Sequence, residues 1–133
     1  MEFFIGQEAE FGKTITETDV YNFAGICGDF NPVHVNKVEA EKSIFGKQIA
    51  HGALVGSLIS TVLGMYLPGP GTIYMKQESK FMKPVYVGDT VTAKVRIESI
   101  DEKHRAVLRT NVYNQNNEMV IEGTAMVKLP QSK

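Results

Sequence analysis

The sequence predicts an α+β fold in which a curved antiparallel sheet surrounds one buried helix. The segment from Ile49 to Leu67 contains no Asp, Glu, Lys or Arg, and it ends at the breaker run Pro68–Gly71. After this run, apolar and polar residues alternate with a period of two, as in antiparallel strands with one buried face. An uncharged helix must be buried among other elements, and a sheet with one apolar face must pack that face against something. The helix and the sheet can each bury the apolar surface of the other.

Composition limits the function further. The 133 residues fit a single domain spanning residues 1–133, and 43% apolar with 22% charged residues excludes a disordered chain. A net charge of −1 excludes nucleic-acid binding driven by bulk charge. A single cysteine, Cys27, excludes an internal disulfide and multi-cysteine metal sites, and the N-terminus lacks the features of a secretory signal. We therefore expect a cytoplasmic protein without a metal, a nucleic-acid partner or a membrane span.

The first predicted helix has recognisable signals at both ends. Thr16 followed by Asp19 resembles a capping box and predicts a helix over about 17–26. Gly28 follows, and glycine commonly ends a helix.

A loop and a short helix follow. Pro32 disfavours helical geometry in the residue before it, so we expect residues 28–34 to be extended or turned. Asn36 can cap a short helix that reaches Lys42, and residues 43–48 connect it to the uncharged segment.

The uncharged segment admits two interpretations. Small residues recur every four positions and form a stripe on one helix face: Gly52, Gly56, Ser60 and Gly64. A membrane span of about 20 residues can carry such a stripe at a dimer contact. However, no cluster of positive charge flanks the segment, and the sheet would then have no core. We therefore interpret Ile49–Leu67 as the central helix of a domain.

Alternation predicts four strands, at about residues 73–80, 91–98, 106–113 and 121–129. Turn signals separate them at Gly88-Asp89, Lys103-His104 and Asn116-Asn117.

Asp29 and His34 are the strongest candidates for chemistry. A carboxylate and an imidazole five positions apart on a turn can converge on one water molecule and divide its proton transfers between them. The alternative is an ordinary turn, since Asp and Asn often bond to nearby backbone groups.

Gly52 is a candidate for binding a developing negative charge. The free N–H groups at the start of the buried helix lie at the positive end of its dipole, and glycine lets a ligand approach closely. A carbonyl that gains charge can be stabilised there. Alternatively, glycine is needed at this helix start only for close packing.

Three further polar residues have weaker signals. Ser60 can reach a polar group in the site, or bond back to the Gly56 carbonyl. Lys80 and Lys83 can contact phosphates, although basic residues on a wet sheet face are usually only solvated.

Several motifs resemble those of a known family. The run from Tyr21 to His34 contains Gly-Asp-x-Asn-Pro-x-His and resembles the hydratase-2 motif. Ile49-Ala50-His51-Gly52 follows, and later Phe81, Pro84-Val85 and Val87-Gly88-Asp89. Over nearly the whole chain these residues are similar to the MaoC-like dehydratases, and most of all to the short (R)-specific enoyl-CoA hydratases that supply polyhydroxyalkanoate monomers.

The resemblance implies a hot-dog fold, with the long helix inside a curved antiparallel sheet. It implies a homodimer or higher oligomer whose sheets join edge to edge, with the substrate entering near the interface. The implied reaction is the reversible hydration of a trans-2-enoyl-CoA to an (R)-3-hydroxyacyl-CoA. Coenzyme A is then part of the substrate, and no separate cofactor is expected.

The resemblance also implies roles for individual residues. Asp29 and His34 become the catalytic pair, the Gly52 N–H becomes the oxyanion donor, and Ser60 and Asn31 become supporting residues at the substrate. Leu63 and Val127 are expected along the acyl pocket, where moderately bulky side chains favour short chains.

Two alternatives use the same ligand. A hot-dog thioesterase would hydrolyse the thioester, but such enzymes usually carry a carboxylate on the central helix, and this segment has none. A non-catalytic acyl-CoA-binding module has no use for an intact Asp29–His34 pair. The sequence therefore favours the hydratase.

Overall fold

A five-stranded antiparallel sheet carries the fold of residues 2–131, the part of the chain that the computed structural model describes. The elements in chain order are β1 (Glu8–Thr14), α1 (Glu17–Cys27), α2 (Pro32–Val35), α3 (Lys37–Lys42), α4 (Gly52–Thr61), β2 (Ile73–Phe81), β3 (Thr90–Ile100), β4 (Arg105–Tyr113) and β5 (Met119–Lys128). The sheet order is β1-β3-β4-β5-β2. The α+β class is confirmed.

Strand β1 was not predicted. It pairs antiparallel with β3, from Glu8 opposite Arg96 to Thr14 opposite Thr90. Ala9 and Phe11 turn toward the core and the acidic residues turn away. The strand is short and lies at the sheet edge, so its alternation of two inward side chains is too brief to stand out in the sequence.

The capping box of α1 is confirmed. The Thr16 hydroxyl accepts a bond from the Asp19 N–H at 3.0 Å, and the Asp19 carboxylate accepts one from the Thr16 N–H at 2.9 Å. Lys13 reaches the same carboxylate at 2.7 Å and, with the Thr16 N–H, holds the pKa of Asp19 below its usual range. The helix ends where Gly28 adopts a left-handed conformation with φ 83°.

The expectation of an extended or turned loop over residues 28–34 is wrong in its second half. Residues 32–35 form one helical turn, α2. Proline is well suited to the first position of a helix, because its missing N–H would have no partner there. Asn31 caps this turn by accepting a bond from the Val33 N–H at 3.3 Å. The short helix predicted after Asn36 is confirmed as α3.

The central helix is shorter than the uncharged segment. Residues before Gly52 are extended, because the Ala50 N–H donates to the Val85 carbonyl at 2.7 Å and Ile49 bridges Tyr86. After α4 the chain continues into one π-helical turn, Val62–Tyr66. Among residues 2–131, no helix has the length and apolarity needed to cross a membrane.

Helix α4 packs into the core as predicted. Its buried side chains, Val55, Leu58 and Ile59, belong to one apolar cluster with the inward residues of the sheet. In β3, β4 and β5 buried and more exposed residues largely alternate, as predicted for strands with one wet face.

Strand β2 departs from this pattern. All its residues except Gln77 are exposed, including the apolar Ile73 and Met75. It pairs with β5 on one side and forms the second edge of the sheet on the other. The predicted buried face is therefore uncovered in the single chain.

Candidate active site

Asp29 follows the glycine that ends α1, and its side chain is held by a local turn. The Asp29 carboxylate accepts a bond from the Asn31 N–H at 3.1 Å. Its backbone carbonyl accepts one from Nε2 of His51 at 2.9 Å. Asp29 is exposed in the single chain, so its carboxylate is available to a ligand.

His34 lies on α2 and is nearly buried, with 8% of its surface exposed. Its Nδ1 atom lies 2.8 Å from the Ile49 carbonyl oxygen. A carbonyl oxygen only accepts hydrogen bonds, so Nδ1 carries the proton and Nε2 is the acceptor of the neutral ring. The bond therefore leaves His34 ready to take a proton through Nε2.

His51 lies directly before α4, and the sequence predicted no role for its side chain. Its ring stacks on that of His34 with 3.9 Å between centroids, and Phe23 packs against it at 5.0 Å. The one available signal was a histidine beside the glycine that starts the central helix.

The structure brings Asp29 and His34 together. One nitrogen or carboxylate oxygen from each of Asp29, His34 and His51 lies within 4.8 Å of the other two. One nitrogen of each imidazole is already bonded to a backbone carbonyl. In the part of the chain that the structure describes, Nε2 of His34 and Nδ1 of His51 remain without a bond to the backbone. The Asp29 carboxylate and Nε2 of His34 form a pair suited to moving protons to and from a bound water.

A pocket of about 590 Å³ opens beside His34, whereas Asp29 lies outside its wall. His34 and Gly52 lie in its wall, and Lys83 lies with them. The rest of the wall is mostly apolar and includes Phe45, Val55, Phe81, Met82 and Ile121. The pocket thus combines an apolar volume with a few polar groups, as small-molecule sites do.

The structure supports the packing interpretation of Gly52 and is compatible with the oxyanion interpretation. The first bond within α4 runs from the Val55 N–H to the His51 carbonyl at 3.2 Å, so the Gly52 N–H precedes the bonded turns. A Cβ atom at position 52 would lie 2.7 Å from Cε1 of Phe81. Any larger residue would therefore force the Phe81 ring or the start of α4 to move. Glycine also leaves an N–H at the positive end of α4.

The other predicted substrate residues are dispersed. Asn31 caps α2, as described above. Ser60 is exposed on α4 and lies outside the pocket wall. Leu63 and Val127 are in the core with 1% and 0% exposure, rather than in the wall of this pocket.

The two predicted phosphate contacts also separate. Lys83 lies at the pocket and pairs with Glu118. Lys80 lies opposite Glu122 across β2 and β5, beside Arg109 in a shallow depression of the sheet. Of these two lysines, Lys83 alone lies in the wall of the pocket that contains His34.

Comparison with known proteins places the chain in a family. Residues 3–119 match the MaoC-like domain. The chain belongs to the MaoC-like family. It is 46% identical to an (R)-specific enoyl-CoA hydratase of Rhodospirillum rubrum, over 94% of this chain and 87% of that protein. It is 43% identical to a 3-hydroxybutyryl-CoA dehydratase of Methylorubrum extorquens, over 91% and 77%.

Solved structures of this MaoC-like family give the same fold. The R-hydratase PhaJ1 of Pseudomonas aeruginosa superposes with a TM-score of 0.96 at 39% identity, covering 98% of this chain and 84% of that one. The (R)-hydratase of Aeromonas caviae involved in PHA biosynthesis superposes with a TM-score of 0.94 at 40% identity, covering 96% and 98%. The hot-dog fold is thereby confirmed.

Proposed function

We propose that this MaoC-like protein catalyses the reversible, (R)-specific hydration of trans-2-enoyl-CoA to (R)-3-hydroxyacyl-CoA, with a preference for short acyl chains. The observation that carries the proposal is the convergence of Asp29 with His34, which lies in the wall of a largely apolar pocket together with Gly52. Its relatives named (R)-specific enoyl-CoA hydratase and 3-hydroxybutyryl-CoA dehydratase agree with this chemistry.

The Asp29–His34 pair supplies the proton transfers. A water held between the carboxylate and Nε2 of His34 attacks C3, and its oxygen forms the new C–O bond. One proton of that water passes to the pair, and C2 receives one, so that the whole water molecule is added across the double bond. Asp29 acts as the main base, and His34 shares the water and assists delivery to C2.

Gly52 stabilises the charge that develops on the substrate. Attack at C3 shifts electrons through C2 toward the thioester oxygen, which becomes enolate-like. The Gly52 N–H donates to this oxygen at the positive end of α4. A single donor of this kind lowers the barrier by about 3 kcal/mol.

The pocket and its surroundings set the substrate. The apolar side chains of the wall, among them Phe81 and Ile121, enclose the acyl chain. Lys83 offers a charge for a coenzyme A phosphate by exchanging its Glu118 partner. Coenzyme A arrives with the acyl group, so the reaction needs no separate cofactor.

The functional molecule contains a second copy of the chain. Strand β2 has an unpaired edge, and its exposed apolar residues include Ile73 at 57% and Met75 at 51%. Phe30, next to Asp29, is 61% exposed. Such edges and patches are usually covered in a stable assembly. We expect a homodimer joined edge to edge, with the substrate entering near the interface.

A cytoplasmic location agrees with the state of the single cysteine. Cys27 is an exposed free thiol, and unpaired thiols persist in reducing compartments.

Crotonyl-CoA tests the proposed reaction directly. The purified protein is incubated with it, loss of the enoyl absorbance is followed, and the chirality of the 3-hydroxybutyryl product is determined. Loss of the double bond with an (R) product supports the proposal. Release of free coenzyme A thiol with the double bond intact indicates a thioesterase, and binding without turnover indicates a non-catalytic module.

A further inference from the structure

His51 contacts both members of the proposed catalytic pair without belonging to it. Its Nε2–H donates to the Asp29 carbonyl at 2.9 Å, and its ring stacks on His34 at 3.9 Å. Only 2% of the residue is exposed, so it lies behind the pocket rather than in its wall. A single buried ring thus links the backbone of one catalytic residue to the side chain of the other.

Burial of His51 leaves one of its atoms unsatisfied. Within residues 2–131, Nδ1 of His51 is buried and has no hydrogen-bond partner. A buried polar atom without a partner destabilises a fold. Leu or Phe would fill the space without this penalty, but neither donates a bond to the Asp29 carbonyl. What the imidazole adds is an N–H at that one position.

The geometry points to His51 as a positioning residue for the reaction, an inference that rests on the proposed hydratase function. Its Nε2–H holds the peptide from which the Asp29 side chain projects. Its ring face restricts the tilt of the His34 ring, whose own orientation also depends on the Ile49 carbonyl. Small displacements of catalytic groups lower the rate of the chemical step strongly, whereas they change substrate affinity little.

Two amide variants of different reach test this role. The amide nitrogen of glutamine lies close to the place of the imidazole Nε2, so His51→Gln keeps the donor. His51→Asn offers a shorter amide that falls short of the Asp29 carbonyl. With crotonyl-CoA we expect kcat within about threefold of the wild type for His51→Gln and at least about tenfold lower for His51→Asn. KM changes less than about threefold in both, because His51 does not contact the substrate.

Two further measurements separate positioning from stability. Ile97→Val trims the core in β3, where the side chain is fully buried, and lowers the melting temperature without lowering kcat. We expect the backbone amide hydrogens of residues 28–31 to exchange with solvent faster in His51→Asn than in His51→Gln. This measurement does not depend on enzyme activity.

Each possible result has a definite meaning. A wild-type protein that leaves crotonyl-CoA unchanged overturns the proposed function. Hydrogen exchange of the backbone amides of residues 28–31 then decides whether His51 holds the segment around Asp29. An active wild type with equal kcat in the two amide variants overturns the positioning role alone. If His51→Asn does not fold, a kcat for His51→Gln reduced as much as that of His34→Ala also overturns it.

Discussion

The Nδ1 atom of His34 lies 2.8 Å from the carbonyl oxygen of Ile49. This bond sets which nitrogen of the ring faces the reaction, because a carbonyl can only accept. Ile49 is held in turn by a bridge to Tyr86, so the orientation of the imidazole depends on the strand-like segment before the central helix. The proton chemistry of the site is thereby coupled to the packing of distant parts of the chain.

Removal of either proton-transfer group should abolish most of the activity. We expect Asp29→Asn and His34→Ala each to lower kcat for crotonyl-CoA by about 10²-fold or more, because general acid–base groups contribute on this scale. Asp29 is exposed, so Asp29→Asn should retain the wild-type melting temperature.

Cys27→Ser is the matched control for this pair. It alters an exposed side chain close to the catalytic loop without touching Asp29 or His34, and it should keep wild-type turnover. Near-wild-type activity of Asp29→Asn or His34→Ala would remove that residue from the mechanism.

A methyl group at position 52 should damage both the fold and the site. Gly52→Ala places a Cβ atom 2.7 Å from the Phe81 ring, so either the ring or the start of α4 must move. We expect a lower melting temperature and a loss of turnover. Adding Phe81→Leu should recover part of the lost stability, because the smaller side chain makes room.

Gly25→Ala controls for the loss of glycine itself. Gly25 lies inside α1, and a Cβ there meets nothing within 4 Å. Alanine favours a helix over glycine by about 1 kcal/mol, so this variant should be at least as stable as the wild type. Equal melting temperatures for the two alanine variants would contradict the steric explanation at Gly52.

The capping box of α1 should make the free energy of unfolding depend on pH in the acid range. Asp19 carries a lowered pKa, chiefly through the hydrogen bond from Lys13 and then that from the Thr16 N–H. A carboxylate with a lowered folded-state pKa stabilises the fold above its ordinary pKa of 3.8, and this contribution disappears as pH falls through the lowered value. Asp19→Asn should therefore be less stable than the wild type at pH 7, with the difference shrinking in this acid range.

Urea denaturation at several pH values measures this effect. Thr16→Ala should cost about 1 kcal/mol at neutral pH through loss of the other half of the capping box. Glu41→Gln, on the exposed side of α3, is the control. A pH-independent difference between the wild type and Asp19→Asn would show that the carboxylate charge is not what stabilises the cap.

Charge on the free edge of β2 should disrupt the proposed dimer. Ile73→Lys and Met75→Lys introduce like charges on the two facing copies of that edge. Light scattering after size exclusion should show a dimer for the wild type and a monomer for the double variant. Glu10→Lys on β1, the opposite edge, should leave the dimer intact. A monomeric wild type, or a dimer lost only with the β1 variant, would reject β2 as the interface.

The sequence anticipated most elements because their signals are local. Thr16 and Asp19 are three positions apart and bond to each other's backbone, so their pattern identifies the start of α1 without the rest of the fold. Gly28 likewise ends that helix through its own backbone freedom. Strand β1 was missed because an edge strand with two inward side chains carries little alternation.

Local sequence patterns do not predict contacts between residues that lie far apart in the chain. His51 is 22 positions from Asp29, yet it bonds to the Asp29 carbonyl. Phe81 lies far from Gly52 in the chain and close to it in space. Such contacts depend on how the sheet wraps α4, which no single segment encodes.

The sequence by itself determined the α+β class, the buried uncharged helix and the motif around Asp29 and His34, since hydrophobic periodicity and turn chemistry act over a few residues. The tertiary structure decided which nitrogen of His34 is free, that a Cβ atom at position 52 would collide with the Phe81 ring, and that His51 lies behind the pair. It also placed Leu63 and Val127 in the core, away from the wall of the observed pocket. These features depend on hydrogen bonds and packing between segments, which arise only when the chain is folded.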